Sequence, residues 1–303
     1  MESERKRTVA KRPARAYERV LKTRRTASAV LPAPVCWRLS HPIRAAMTLG
    51  ILAALHDEVD GLIAAMRHED ARATVRTIGM RDYYAGTLHG QAVVLVLARV
   101  GKVAAAATTV TLIREFGVDE IVFTGLAGGV GAEVRVGDIV VADRTLQHDL
   151  DARPLFPRHE VPLLARAEFP ADAELTAALR AAAADFLRHD LATEVPDGVL
   201  ARFGVAAPRL HVGMVASGDQ FINAPAAVAD LRERLPGVQA VEMEGAALAQ
   251  ICYEYGVPYA VMRTVSDRAD DVAHVDFSAF LRDVASHYSS AILRRFLSAR
   301  GQA

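Results

Sequence analysis

From residue 48 onward, short segments that are apolar on both faces alternate with longer segments of helical periodicity. TLGILAAL (48–55), QAVVLVLAR (91–99), DEIVFTG (119–125), VGDIVVAD (136–143), HVGMVASGDQFI (211–222), QAVEME (239–244) and PYAVMRTVSD (258–267) have the length of strands and end in polar residues or glycine. A strand that is apolar on both faces needs cover on both, so these runs call for a sheet between two helical layers. Helices are predicted from the polar stop at His56–Glu58 through about Met66, over KVAAAATTVTLIREF (102–116) behind Gly101, and over 170–188, 245–256 and 277–297. The expected fold is a three-layer α/β/α domain over 47–303 with a central mixed, mostly buried β-sheet. LAGGVG (126–131) reads as a glycine-rich turn, and 187–209 as an irregular stretch with the look of an insertion.

The formal net charge of zero hides an asymmetry. Residues 1–46 carry 12 Lys/Arg against 3 Asp/Glu, which leaves 24 against 33 in the rest. The basic segment, broken by Pro32, Pro34 and Pro42, reads as a solvated, disordered leader, and Met47 stands directly before the first strand as an alternative start of translation. An acidic body has no broad positive field to displace phosphate counterions, which argues against nucleic-acid binding. Cys36 and Cys252 are too few for a disulfide framework or a cysteine zinc site, and they suit a reducing compartment. No apolar run nears the ~20 residues that span a bilayer, and no signal-peptide pattern follows the basic start. These features predict a cytoplasmic protein without a membrane partner.

In layered α/β folds ligands sit beyond the carboxyl ends of strands. Glu58, the 125–131 turn, Ser217–Asn223, Glu242-Met243-Glu244, Arg263 and Asp267 all fall at such ends. One strand-end acid is ordinarily a helix cap or ion-pair partner. Several in one crevice raise one another's pKa and point to a site. GLAGGVG lacks the third glycine of a dinucleotide fingerprint, and a strand follows it rather than a helix. Walker, HExxH and GxSxG motifs are missing. His148, Asp149 and Asp151 have metal-ligand chemistry, but H-D-L-D in a loop equally fits hydrogen-bonded structure, and no metal or cofactor is expected.

ALHDEV (54–59), VGKVAAA (100–106), TGLAGGV (124–130), VGDIVVAD (136–143), SGDQFIN (217–223) and AVEMEGAALAQICYEYGVPYAVMRTVSD (240–267) occur in one order. Together they resemble the 5′-methylthioadenosine/S-adenosylhomocysteine nucleosidases of the purine nucleoside phosphorylase superfamily. The resemblance runs from about residue 48 to the C-terminus, leaving out 187–209, and implies hydrolysis of an N-glycosidic bond with release of adenine, without a cofactor. It implies Asp267 as the acid that protonates the purine and Glu58 as the base that polarises water. Like-charge crowding would keep Asp267 protonated near neutrality while Glu58 stays ionised. Met243 and Glu244 would hold the ribose, Arg263 would orient water and carboxylates, Phe221 would stack on adenine and the Ile222 backbone would read its edge. Ser266 and Asn223 would support Asp267 and the adenine loop, while the Ala127 and Gly128 backbone lines the pocket. A homodimer is implied too, with Leu155 and Phe156 candidates for a partner's 5′ pocket in a loop that has diverged. The chain also departs from the family at Leu126, where a serine is usual.

Three readings stand at this point: this nucleosidase; another purine nucleosidase or a phosphorylase of the same fold; and a non-catalytic nucleoside-binding protein. A phosphorylase needs cations for phosphate, and Lys102 is the strong candidate near the turn. A binding protein has no use for a protonated acid beside a base.

Overall fold

In the computed structural model, which describes residues 47–53, 59–268 and 277–301, the first strand is central. β1 (Thr48–Ala53) lies parallel to β4 (Gln91–Leu97) on one side and to β5 (Glu120–Thr124) on the other. Beyond β4 come β3 (Arg81–Leu88) and the edge strand β2 (Thr74–Ile78), both antiparallel. Beyond β5, β11 (Tyr259–Asp267) leads to β6 (Leu126–Gly129), β10 (Val238–Glu242), β9 (Leu210–Ser217), β7 (Ile139–Gln147) and β8 (Glu168–Pro170). β7 also pairs with β11, Met262 opposite Val141, so β11, β6, β10, β9 and β7 form a closed ring.

Alternate residues of the buried strands enter different cores, which explains the unbroken apolar runs. Ile51, Val93, Leu95, Val122 and Met262 pack on one face against α1 (Asp60–Glu69), α3 (Ala173–Asp185) and the C-terminal α6 (Ser286–Arg300). Leu52, Val94, Val96, Phe123 and Val261 pack on the other against α5 (Gly245–Tyr255) and Leu112, at the end of α2 (Lys102–Thr111). Helices thus cover both faces of a mixed sheet, as expected. A last helix, α4 (Pro225–Arg234), closes a third core over β9 and β10.

Four expectations are corrected. Residues 74–88, assigned to no element from the sequence, form the β2–β3 hairpin; Gly79 and Met80 turn it with φ of +56° and +60°, the backbone of a type I′ turn. Its strands are polar and half exposed, so they lack the apolar signature. The glycine-rich 126–129 is strand β6, with Gly128 and Gly129 opposite Val241 and Ala240. A Cβ on Gly129 would stand 3.1 Å from both Val134 and Val265 side chains, so the glycine reflects packing as well as turning. The helix expected from 170 starts at Ala173, capped by the Asp172 carboxylate, because 168–170 pair with β7. Finally, 187–209 is no loose insertion: it continues α3 through a π-helical turn and two short helices, burying Val195 and Val205. The 1–46 leader and the proposed start at Met47 fall at or before the edge of the described residues.

Candidate active site

Where β6, β10 and β11 end, a cavity of about 350 Å³ opens. Ala127, Gly128, Phe221, Ile222, Met243, Glu244, Ser266 and Asp267 line it, as the sequence predicts, joined by Val100, Leu126, Gln220, Val241 and Glu242. Three of these are carboxylates, and among the described lining residues none is Lys, Arg or His. Such a lining favours developing positive charge and disfavours an anion.

A bulge aims Asp267. Val265 is opposite Ala127 on β6, but Asp267, not Ser266, is opposite Gly128. The extra residue brings Ser266 and Asp267 both onto the cavity wall. Ser266 Oγ donates to Asp267 Oδ2 at 2.8 Å.

Glu242 and Glu244, two residues apart, do different work. Glu242 is saturated: it accepts from the Gly245 N–H at 2.9–3.0 Å, the Glu244 N–H at 3.1 Å, Arg263 Nη2 at 2.6 Å and Ser217 Oγ. Ser217 Oγ also accepts from the Ala246 N–H at 2.7 Å, so the two side chains together cap the N-terminus of α5. Glu244 is buried too, but it accepts chiefly from the Gly101 N–H, at 2.6 Å. Burial, and then the charge of Glu242, push its carboxyl up to about 7. The crowding expected of the strand-end acids is therefore seen at Glu244.

Arg263 does not line the cavity. Fully buried, it stands behind Glu242 with its guanidinium 3.9 Å from the Phe123 ring centroid, and so orients a carboxylate rather than facing the pocket. Phe221 stands at the rim with 64% of its surface exposed, while Ile222 packs against the α4 core. Asn223 is exposed beyond the lining segment. Glu58, the expected base, lies outside the described residues.

Lys102 is committed elsewhere: its Nζ is 2.7 Å from Asp149 Oδ1 and 3.6 Å from Asp219 Oδ2. Asp149 thus serves an ion pair, Asp151 pairs with Arg153, and His148 is buried against Gly218, so each member of the H-D-L-D group has a structural use. A second hollow, between α3 and α6, holds Asp190 and Arg295, which pair with each other.

The family model of the phosphorylase superfamily matches residues 48–298. The chain is 34% identical over 247 residues to a 5′-methylthioadenosine/S-adenosylhomocysteine nucleosidase of Anoxybacillus flavithermus, covering 81% of this chain and 96% of that one. Among solved structures it resembles the nucleosidase of that name from Neisseria meningitidis, in complex with methylthio-immucillin-A, with a TM-score of 0.69 and 33% identity over 83% of this chain and 99% of the other. A mutant futalosine hydrolase of Helicobacter pylori is also similar, with a TM-score of 0.68 and 26% identity over 84% and 99%.

Proposed function

The chain belongs to the phosphorylase superfamily and, within it, to the 5′-methylthioadenosine/S-adenosylhomocysteine nucleosidases, and on that premise we propose how its pocket divides the work. The reaction is hydrolysis of the N-glycosidic bond of these thionucleosides, releasing adenine. One observation carries the assignment: Asp267, Glu244 and Phe221 share a single cavity lined by three carboxylates and by no cation among the described residues.

Asp267 donates a proton to the imidazole nitrogen of adenine as the bond from the sugar to the base breaks, so the bonding pair leaves on a neutral base. The sugar passes through an oxocarbenium-like state, and the Glu244 charge both faces that cation and accepts from ribose hydroxyls. Met243 packs on the ribose, and adenine lies against Phe221 with the Ile222 backbone along its edge. Glu58 takes the proton of the water that adds to the sugar carbon. Arg263 acts through Glu242, holding the β10–α5 corner from which Glu244 projects. Ser266 fixes Asp267 by its hydrogen bond, and Asn223 steadies the loop that carries Phe221.

A phosphorylase is disfavoured because Lys102 is held by two carboxylates. The 5′ group is read elsewhere: Val100 and Phe221 at the pocket, Val103 three residues after Val100, and Leu155 in the loop after Asp149 are exposed apolar residues, and a second copy of the chain covering them would complete a 5′ pocket. On this reading the protein is a homodimer that works in the cytoplasm in methionine salvage. A purine nucleosidase with another 5′ substituent is the second reading, favoured by the likeness to futalosine hydrolase.

The test is to incubate the protein with methylthioadenosine, S-adenosylhomocysteine, adenosine and inosine, with and without phosphate, and to resolve the products. Adenine and free thioribosyl sugar, in amounts indifferent to phosphate, are expected. A sugar 1-phosphate as main product would move the chain to the phosphorylases.

A further inference from the structure

Two consecutive backbone N–H groups at the start of α2 reach both halves of the site. Gly101 N–H donates to Glu244 Oε1 at 2.6 Å, and Lys102 N–H donates to Asp219 Oδ1 at 2.9 Å. The first holds the carboxylate assigned to the ribose. The second holds the root of the segment that carries Phe221 and Ile222. That segment leaves β9 without regular structure, and its position depends on how the root is tied.

The ties converge on one ion cluster. Asp219 N–H donates to Asp149 Oδ2 at 2.8 Å, while Lys102 Nζ stands 2.7 Å from the other oxygen of Asp149 and 3.6 Å from Asp219 Oδ2. Gly218 N–H donates to Glu242 O at 3.1 Å, and a Cβ on Gly218 would stand 2.3 Å from His148 Nε2, so the backbone rests directly on the buried imidazole. A Cβ on Gly101, whose φ is +101°, would stand 3.4 Å from Asp219 Oδ1. Lys102 and Asp149 are mostly buried, which makes their pairing stronger than a surface ion pair. Burial works against it, yet Lys102 and the Asp219 N–H hold the Asp149 carboxyl below the usual carboxylate range.

We propose that Lys102, Asp149 and Asp219 form a positioning triad that locks the adenine-reading segment in register with the ribose-reading Glu244 through the N-terminus of α2. The triad touches no reacting atom. It sets the separation of two subsites that must grip one rigid nucleoside, and it rests on the nucleosidase reading above.

The experiment is steady-state kinetics on methylthioadenosine, with calorimetric titration of adenine, for Lys102→Met, Lys102→Arg, Asp149→Ala, Asp149→Asn and the Lys102→Met/Asp149→Ala pair. Arg76→Ala, which removes the exposed pair with Glu115, is the control. Lys102→Met and Asp149→Ala should each raise KM, and weaken adenine binding, by about 10-fold, with kcat within about 3-fold; each strands a mostly buried partner and so also lowers the melting temperature, whereas Lys102→Arg and the Arg76→Ala control should not. Lys102→Arg should recover most of the loss. The double variant should be no worse than the poorer single one, since the residues act as a unit. If Lys102→Met does not fold, Asp149→Asn, which keeps an acceptor for Asp219, still reads the KM effect. KM and adenine affinity within about 2-fold of wild type in the single variants, or losses that multiply in the double one, would overturn the triad. Wild-type protein that binds adenine but releases none from the thionucleosides would instead sink the nucleosidase reading, with the adenine titrations still reading the triad.

Discussion

Replacing Glu244 by Gln should make the protein more stable and much less active. The carboxyl is buried beside Glu242 and is raised from an ordinary 4.5 to about 7. A raised pKa means that the folded chain holds this proton more tightly than the unfolded one. The stability so gained is complete below pH ~4.5 and is lost as pH rises through about 7. Ionising the carboxyl in this place, buried beside Glu242, therefore costs on the order of a few kcal/mol at pH ~8. Gln keeps an oxygen for the Gly101 N–H and never ionises. It should therefore raise the melting temperature by on the order of 10 °C at pH ~8 and by almost nothing at pH ~4.5. Calorimetric melts of both proteins at the two pH values measure this. In the same comparison turnover should drop by about 10²-fold, because a neutral amide cannot face an oxocarbenium ion with charge. Wild-type kcat/KM should fall as pH drops below about 7, where free enzyme takes up this proton. Equal melting temperatures at pH ~8, or a Gln variant that melts lower, would refute the claim that the ribose carboxylate is held under electrostatic stress.

Asp267→Asn and Glu58→Gln remove the proposed acid and base at constant shape, and each should lower turnover by about 10²-fold or more while leaving thermal melting in place; near-wild-type rates would cancel the role assignment. Leu126→Ser adds a hydroxyl to an apolar wall of the cavity and should hold or raise the hydrolytic rate, by an amount equivalent to roughly 0.5–1.5 kcal/mol for one hydrogen bond. A strong loss would mean that the leucine packs against the nucleoside. Arg263→Met strands the buried Glu242 charge without its cation and should cost about 3–5 kcal/mol, read by denaturant unfolding, whereas a loss under about 1 kcal/mol would show that the backbone N–H groups and Ser217 suffice.

What the amino-acid order determined by itself was layering and motif. Strands such as 91–97 and 119–124 carry consecutive apolar residues that face opposite cores, and a sheet apolar on both faces calls for cover above and below, which helices supply here. The strand-end acids and the glycine before α2 were legible for the same reason: they interrupt an apolar pattern at its carboxyl end. The β2–β3 hairpin was not legible, because the edge strand β2 is exposed over Thr74–Thr77 and β3 fully buries only Tyr83 and Leu88, too sparse a pattern to read as an apolar strand. Strand β6 was hidden because Gly129 answers to the Val134 and Val265 side chains packed against it in the folded ring, and not to the needs of a turn. Nor could the residue pattern, apart from the family resemblance, separate Glu242 from Glu244. Their difference lies in partners that are remote along the chain: Ser217 and Arg263 for one, the Gly101 N–H for the other. Lys102 reads in the sequence as the candidate cation a phosphorylase would need, whereas in the fold Asp149 and Asp219, 47 and 117 residues away, hold it. Whether a charge is spent or available depends on which groups share its small, dry volume, and tertiary folding alone brings those groups together.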